Sequence, residues 1–356
     1  ALSIGLLDFK KVIDMLGRSA GDQLLKDASR RLISCVNEGE TVAYLSGNEF
    51  LIIVDDENYY SEEVAQRALQ AFEAPFILEE HEIVIKISIG LASYPMDAED
   101  PYTLLRHADM AMSEAAEIGA IGYRYFMPSL TEELENRLEI ESFLFHALER
   151  EELTLNYQPL IDIQNGTIIG AEALLRWNNH ELGVVSPEVF IPIAEKNGQI
   201  QAIGDWVLRT SCLQDKKWQD PCDTPLKLAV NMSVCQFSSK GVVMTISNAL
   251  EESLIPAESL ELEVTEGLLL GDSPLILSSL NKLHEMKVGL SIDDFGTGYS
   301  ALSYLKKYPF DTLKIDRSFV NEITSDENDK SIATAVVQLA KSMQLSVIAE
   351  GVETGE

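Results

Sequence analysis

Two adjacent aspartates, Asp293 and Asp294, follow the apolar run Val288–Ile292 and precede Gly296-Thr297-Gly298 in the stretch SIDDFGTGYSAL. Neighbouring carboxylates repel, and each disfavours ionisation of the other unless a cation lies between them. Their oxygens suit one or two hard divalent ions. The glycines allow a sharp turn and a close backbone approach to a ligand. Taken alone, the stretch reads equally as a strand-end turn, because Asp and Gly are common turn residues.

Similar groups recur near the ends of other apolar runs. Glu172 lies in AEALLRW, and Asn231 ends LKLAVN. Glu263 stands near the end of LELEV, with Glu266 three residues on. Lys314 lies in TLKID, followed by Asp316, and Glu350 ends LSVIAE. Each alone reads equally as an exposed loop residue. Together they bring oxygen ligands to the ends of five or six strands. With no His or Cys among them, Mg²⁺ or Mn²⁺ is the matching cation. Cys35, Cys212, Cys222 and Cys235 show no CxxC spacing, and the five histidines are scattered, which argues against zinc.

The elements that must position these groups follow a strand–loop–helix rhythm in the second half. Strands are expected at Leu153–Leu160, Ile168–Leu175, Leu226–Asn231, Leu260–Val264, Val288–Ile292, Thr312–Ile315 and Leu345–Ala349. Helices fit between them, for example Pro187–Asn197, Gly204–Trp218, Ser273–Lys287 and Ile332–Ser342. This is the alternation of an α/β barrel, whose strand ends converge on one mouth. The short Gln-Asn-Gly turn between the first two strands makes them a hairpin, so one strand runs antiparallel.

The first half mixes strands and helices without that rhythm. Leu2–Leu7 reads as a strand, Phe9–Gly17 and Asp22–Val36 as helices, and Thr41–Leu45 with Glu49–Val54 as a hairpin. A helix at Ser61–Phe72, a strand at His81–Ser93 and a helix at Pro101–Gly119 follow. An α+β sandwich with a largely antiparallel sheet is expected. The domain plan is residues 1–127, a linker of residues 128–150 carrying a helix at Thr131–Arg150, and residues 151–356.

A net charge of −31, from 27 Lys plus Arg against 58 Asp plus Glu, argues against a nucleic-acid polymer as partner. No apolar run reaches the ~20 residues needed to span a bilayer. Without disulfide spacing, the cysteines read as reduced thiols, which points to the cytoplasm. The chain opens inside an apparent strand and so reads as a piece of a longer protein, whose upstream part could carry a sensor or membrane segment.

The second half closely resembles the EAL family of cyclic di-GMP phosphodiesterases. YQPLID, GAEALLRW, FIPIAEKNGQI, LAVNMS, LELEVTE, SIDDFGTGYSAL, TLKIDRSFV and IAEGVET carry the resemblance. It implies a barrel with one antiparallel strand and two cations held by Glu172, Asn231, Glu263, Asp293 and Asp294. Lys314 and Glu350 would join Glu172 in catalysis, Lys314 by positioning the attacking water. Gln158, Leu174, Arg176 and Asp316 are assigned to the substrate side, Leu174 completing the EAL tripeptide and packing beside the ligand. Glu266 would anchor the loop Phe295–Ser300. The implied reaction converts cyclic di-GMP to linear pGpG, and a homodimer through the EAL domain is implied as well. The family barrel continues with a further helix and strand beyond Glu356.

The first half resembles the GGDEF family of diguanylate cyclases through LGRSAGDQLL, VAYLSGNEFLIIV, ISIGLASYP and LLRHADMAMSEAAEIG. Ser46-Gly47-Asn48-Glu49-Phe50 stands where the signature would be, leaving Glu49 as the surviving motif acid. The family's metal-binding positions fall on Gly5 and Asn48. A guanine-reading asparagine falls on Ile13, beside a retained Asp14, and the inhibitory RxxD site falls on Asn37–Glu40 without its arginine. Two-metal phosphoryl transfer needs anionic ligands, so a degenerate cyclase is expected, with GTP binding as a regulator one remaining role. Three rival readings stay open: a silent cyclic di-GMP receptor, a bifunctional enzyme, and a barrel hydrolase of another phosphodiester.

Overall fold

The computed structural model describes residues 1–55, 60–117, 122–219, 226–239, 241–271, 273–296, 305 and 307–352. Two compact units divide between Arg137 and Leu138.

In the first unit, strand β1 (Leu2–Leu6) is buried throughout, as its apolar run requires of a central strand. Helix α1 (Phe9–Leu16) follows, and helix α2 (Arg18–Ile33) buries Ala20, Leu24, Ala28 and Leu32, a stripe at four-residue spacing. Strands β2 (Thr41–Ser46) and β3 (Glu49–Ile53) form the expected hairpin, with Gly47 in the left-handed region. Helix α3 (Tyr60–Ala71) leads to β4 (Phe76–Leu78), β5 (His81–Ile83) and β6 (Ile87–Leu91). Helix α4 (Pro101–Glu117) and β7 (Gly122–Tyr125) complete the sheet, in the order β2-β3-β1-β6-β7. All neighbours are antiparallel except β6 and β7. The expected single strand His81–Ser93 is two strands. β5 pairs with β4 in a separate ribbon, and only β6 enters the main sheet. A Cβ on Gly90 would lie 2.0 Å from the Ala108 carbonyl oxygen, so glycine is what lets α4 pack directly on β6.

Helix α5 runs Pro128–Leu144, earlier than expected. Proline suits the first turn of a helix, where its missing N–H is not needed. After Leu144 the backbone tightens, with His146 N–H donating to the Phe143 carbonyl and Ala147 N–H to that of Leu144. Leu144 and Ala147 enter the core of the second unit.

The second unit is a curled α/β sheet. Strands β8 (Leu153–Ile161) and β9 (Ile168–Asn179) form the expected antiparallel hairpin, and β10 (Gly183–Val185) adds a short antiparallel strand to β9. Helices α6 (Pro187–Asn197) and α7 (Ile200–Gln219) precede β11 (Lys227–Asn231). Then come α8 (Val234–Phe237), α9 (Val242–Ser253), β12 (Leu260–Thr265), α10 (Pro274–Glu285) and β13 (Gly289–Phe295). The chain continues with β14 (Thr312–Ile315), α11 (Glu327–Met343) and β15 (Ser346–Ala349). The strands β9, β11, β12, β13, β14 and β15 run parallel in that order. Among the described residues β8 and β15 are not paired with each other. No helix among them is long and apolar enough to cross a membrane.

Strand β12 shows how the sheet separates its two faces. Leu260, Leu262 and Val264 join the apolar core, while the alternate residues Glu261 and Glu263 are buried and reach Lys227 and Lys314. One face is thus packed with hydrocarbon and the other lined with charge.

Candidate active site

The charged face is organised around one lysine. Lys314 projects from β14 and is 1 % exposed. Its Nζ lies 2.6 Å from Glu350, 2.8 Å from Glu263, 3.2 Å from Glu172 and 3.3 Å from Asp293. These four carboxylates come from β9, β12, β13 and the end of β15. Burial alone would lower the lysine pKa, but the attraction of Glu263, Asp293, Glu172 and Glu350 outweighs it, and the ammonium is held well above its ordinary range. The lysine therefore occupies the place of a cation among anions.

Asp293 and Asp294 are adjacent, and on a regular strand they would point to opposite faces. The register between β13 and β14 shifts between Ile292 and Phe295, and Asp294 has φ 55°. This bulge and left-handed residue turn both carboxylates toward the mouth, at a backbone cost of about 1–2 kcal/mol. One oxygen each of Asp293, Asp294 and Glu350 lies within 4.8 Å of the others. Burial, with the charges of Asp293 and Asp316, raises the Asp294 pKa, and Asp294 shares a hydrogen bond with Asp316. Burial also raises the pKa of Glu350, against the pull of Lys314. Glu263 is raised well above the usual range, chiefly by burial. The strand thus runs through both aspartates to Phe295, rather than ending before them as expected.

The remaining expected residues fall as follows. Glu172 is held at both oxygens: Asn231 Nδ2 donates to Oε1 at 2.7 Å, and Lys314 Nζ donates to Oε2 at 3.2 Å. Gln158 is the direct cross-strand partner of Glu172 on β8. Leu174 and Arg176 continue along β9, opposite Asn156 and Thr154. Arg176 Nη1 donates to the Leu175 carbonyl at 2.8 Å. Asp316 caps the short turn Arg317–Phe319 by accepting from Ser318 N–H at 3.0 Å. Burial works against its ionisation, but the Ser318 hydrogen bonds hold its pKa below the ordinary value. Glu266 is buried just after β12. The loop Phe295–Ser300 that it was expected to anchor lies, from Thr297 on, outside the described residues, as does Cys222.

A hard divalent cation fits this donor set. The carboxylates are close, they converge from several strands, and Glu263 Oε1 is buried with no hydrogen-bond partner in the protein. Ser291, buried on β13, was not singled out from sequence. Its signal was a polar residue inside an apolar run, two positions before Asp293 and so on the same face.

In the first unit the signature hairpin is built differently. Asn48 Nδ2 donates to the Leu6 carbonyl at 2.7 Å, so the amide serves the sheet. A Cβ on Gly5 would sit 3.2 Å from both Met112 Sδ and Ser88 Oγ. The grouping of three carboxylates found among the described residues lies in the second unit.

Comparison with known proteins agrees with this division. Residues 142–356 match the EAL domain model, and residues 1–120 match that of the diguanylate cyclase GGDEF domain. The chain is 40% identical over 99% of its length to the bifunctional diguanylate cyclase/cyclic di-GMP phosphodiesterase MucR of Pseudomonas aeruginosa, covering 52% of that protein. It is 36% identical, again over 99% of its length, to the cyclic di-GMP phosphodiesterase NbdA of the same species, covering 46% of it. The chain thus spans about half the length of these curated relatives. Among solved structures, the MucR phosphodiesterase in complex with cyclic di-GMP superposes with a TM-score of 0.59 at 45% identity, covering 61% of this chain and 88% of that one. The chain belongs to the EAL domain family, with a GGDEF domain ahead of its EAL domain.

Proposed function

We propose that the second unit hydrolyses cyclic di-GMP to linear pGpG at the mouth around Lys314. The observation that carries this reading is the convergence of Glu172, Glu263, Asp293 and Glu350 on one ammonium, beside the Asp293–Asp294–Glu350 cluster. The 45% identity to a phosphodiesterase solved with cyclic di-GMP supports the choice of substrate.

Glu172, Asn231, Glu263, Asp293 and Asp294 would hold two Mg²⁺ or Mn²⁺ ions. Bound there, such ions polarise the phosphodiester and lower the pKa of a water molecule. Lys314 donates hydrogen bonds to the attacking oxygen and offsets the charge of the acids around it. Glu350 orients the lysine at 2.6 Å and accepts hydrogen bonds from water. Gln158, opposite Glu172, and Arg176 hold the sugar-phosphate, the guanidinium offering a planar fork to phosphate oxygens. Asp316 faces the substrate side through its contact with Asp294. Leu174 packs beside the ligand. Glu266 anchors the loop that follows the aspartates.

The first unit is assigned a regulatory role without cyclase activity. Gly5 and Asn48 offer no carboxylate, and a guanine nucleotide such as GTP is the ligand it would retain. The whole protein acts in the cytoplasm as a dimer through the EAL domain. Incubating the chain with cyclic di-GMP and Mg²⁺, then resolving products by chromatography and mass, tests the reading. Linear pGpG is expected, and no new product from GTP. Tight cyclic di-GMP binding without pGpG would make the protein a receptor instead.

A further inference from the structure

Two buried polar atoms beside this site, each without a partner among the described residues, belong to neighbouring residues. Ser291 is fully buried, and its Oγ has no hydrogen-bond partner. Its Cα partner across the β12–β13 ladder is Glu263. Glu263 is 1 % exposed. Its Oε2 accepts from Lys314 Nζ at 2.8 Å, while its Oε1 is buried without a partner. A donor and an acceptor, both unsatisfied, thus stand side by side on paired parallel strands, whose backbones lie about 5 Å apart.

A hydroxyl buried on a strand carries a desolvation penalty that alanine or valine would avoid. Ser291 bears that penalty one step below Asp293, where the neighbouring strands supply Glu263 on one side and Thr312 on the other. A carboxylate oxygen has two lone-pair directions. Glu263 Oε1 can therefore accept a hydrogen bond on one side and face a cation on the other.

We propose that Ser291 is a positioning residue of the metal site. Its hydroxyl donates to one buried water, which donates in turn to the Glu263 carboxylate and fixes the oxygen that Glu263 offers to the cation. In the structure Lys314 is the group that fixes this side chain. With a cation held by these carboxylates, the serine would keep Glu263 in the place where Lys314 holds it now. The inference rests on the metal-dependent reading of the site given above.

The test uses the whole chain, stripped of metal and free of nucleotide. Mn²⁺ is titrated in, and the free ion is followed by electron paramagnetic resonance. Ser291→Ala is expected to weaken Mn²⁺ binding about tenfold, as loss of a hydrogen bond to a charged group implies. Ser291→Thr, which keeps the hydroxyl, is expected to stay within about threefold of the parent. Thermal unfolding in chelator controls for the fold of both variants. Unchanged Mn²⁺ affinity in Ser291→Ala overturns the proposal, and so does equal weakening in both variants, which would mark a packing effect. A parent chain that binds no Mn²⁺ overturns the metal reading itself, an outcome distinct from the other two.

Discussion

Replacing Lys314 by methionine removes the ammonium that four carboxylates share, while keeping most of the side-chain volume. The lysine lies 2.6–3.3 Å from Glu350, Glu263, Glu172 and Asp293. At an effective dielectric constant of about 20, unit charges about 3 Å apart attract by about 5–6 kcal/mol. Desolvation of each buried ion offsets several kcal/mol of this, and removing one partner of a buried pair costs about 3–5 kcal/mol net. For a unit of this size that corresponds to a drop in melting temperature of about 10 °C in chelator. Divalent ions should then restore the loss, because the mutant leaves four acids with no internal cation. Its Mn²⁺ affinity is expected to rise at least about tenfold, since the ion no longer competes with an ammonium. Turnover should fall about a hundredfold or more, as expected when a group that stabilises the transition state is lost. Circular-dichroism melts with and without Mn²⁺ read the first quantity, an Mn²⁺ titration the second, and pGpG formation the third. A methionine variant that melts within about 2 °C of the parent in chelator and binds Mn²⁺ no more tightly would refute the view of Lys314 as an internal stand-in for the metal.

Other substitutions separate the remaining parts of the site. Glu172→Ala and Asp293→Asn should each weaken Mn²⁺ binding and abolish pGpG formation, and activity retained in either would contradict its assignment as a ligand. Asp215, fully buried on α7 with one carboxylate oxygen unpartnered, has its pKa pushed up by burial to about 6. The unfolded chain releases that proton near pH 4, so ionisation favours unfolding, and stability is lost as pH rises from about 4 to about 6. Asp215→Asn should therefore leave stability unchanged below about pH 4 and raise it by about 1–3 kcal/mol at pH 7. Urea melts giving equal gains at both pH values would refute this. The double change Gly5→Asp with Asn48→Asp should not confer GTP cyclisation, because Met112 and Ser88 crowd the space beside Gly5. Cyclic di-GMP made from GTP by that variant would show that the crowding yields.

The legible parts of this chain were those whose signal is local. Apolar runs ending in or next to a polar ligand-type residue marked β11, β12 and β14 to within a residue, because buried parallel strands read as short hydrocarbon runs. Glu263, Asp293, Asp294 and Glu350 were legible because acids recur at or near the ends of successive apolar runs, whereas Glu172 lies in the middle of β9, which runs on to Asn179. The bulge at Asp294 was not, since it exists only in the register of β13 against β14, two strands separated in sequence. The fourfold pairing of Lys314 joins residues up to 142 positions apart, and no window holds them together. Short strands such as β7 and β10 were missed because four and three residues carry little periodicity. The split of His81–Ser93 was hidden for a related reason. Val84, Ile85 and Lys86 continue the alternating pattern, although they belong to neither strand.

The most direct test of the central claim is to measure Mn²⁺ occupancy and pGpG formation on the same metal-stripped sample as Mn²⁺ is added back. Two ions per chain are predicted, with hydrolysis of cyclic di-GMP rising as they bind and both signals falling in Asp293→Asn. Hydrolysis that persists undiminished in chelator, or full Mn²⁺ occupancy with cyclic di-GMP bound and intact, would contradict it.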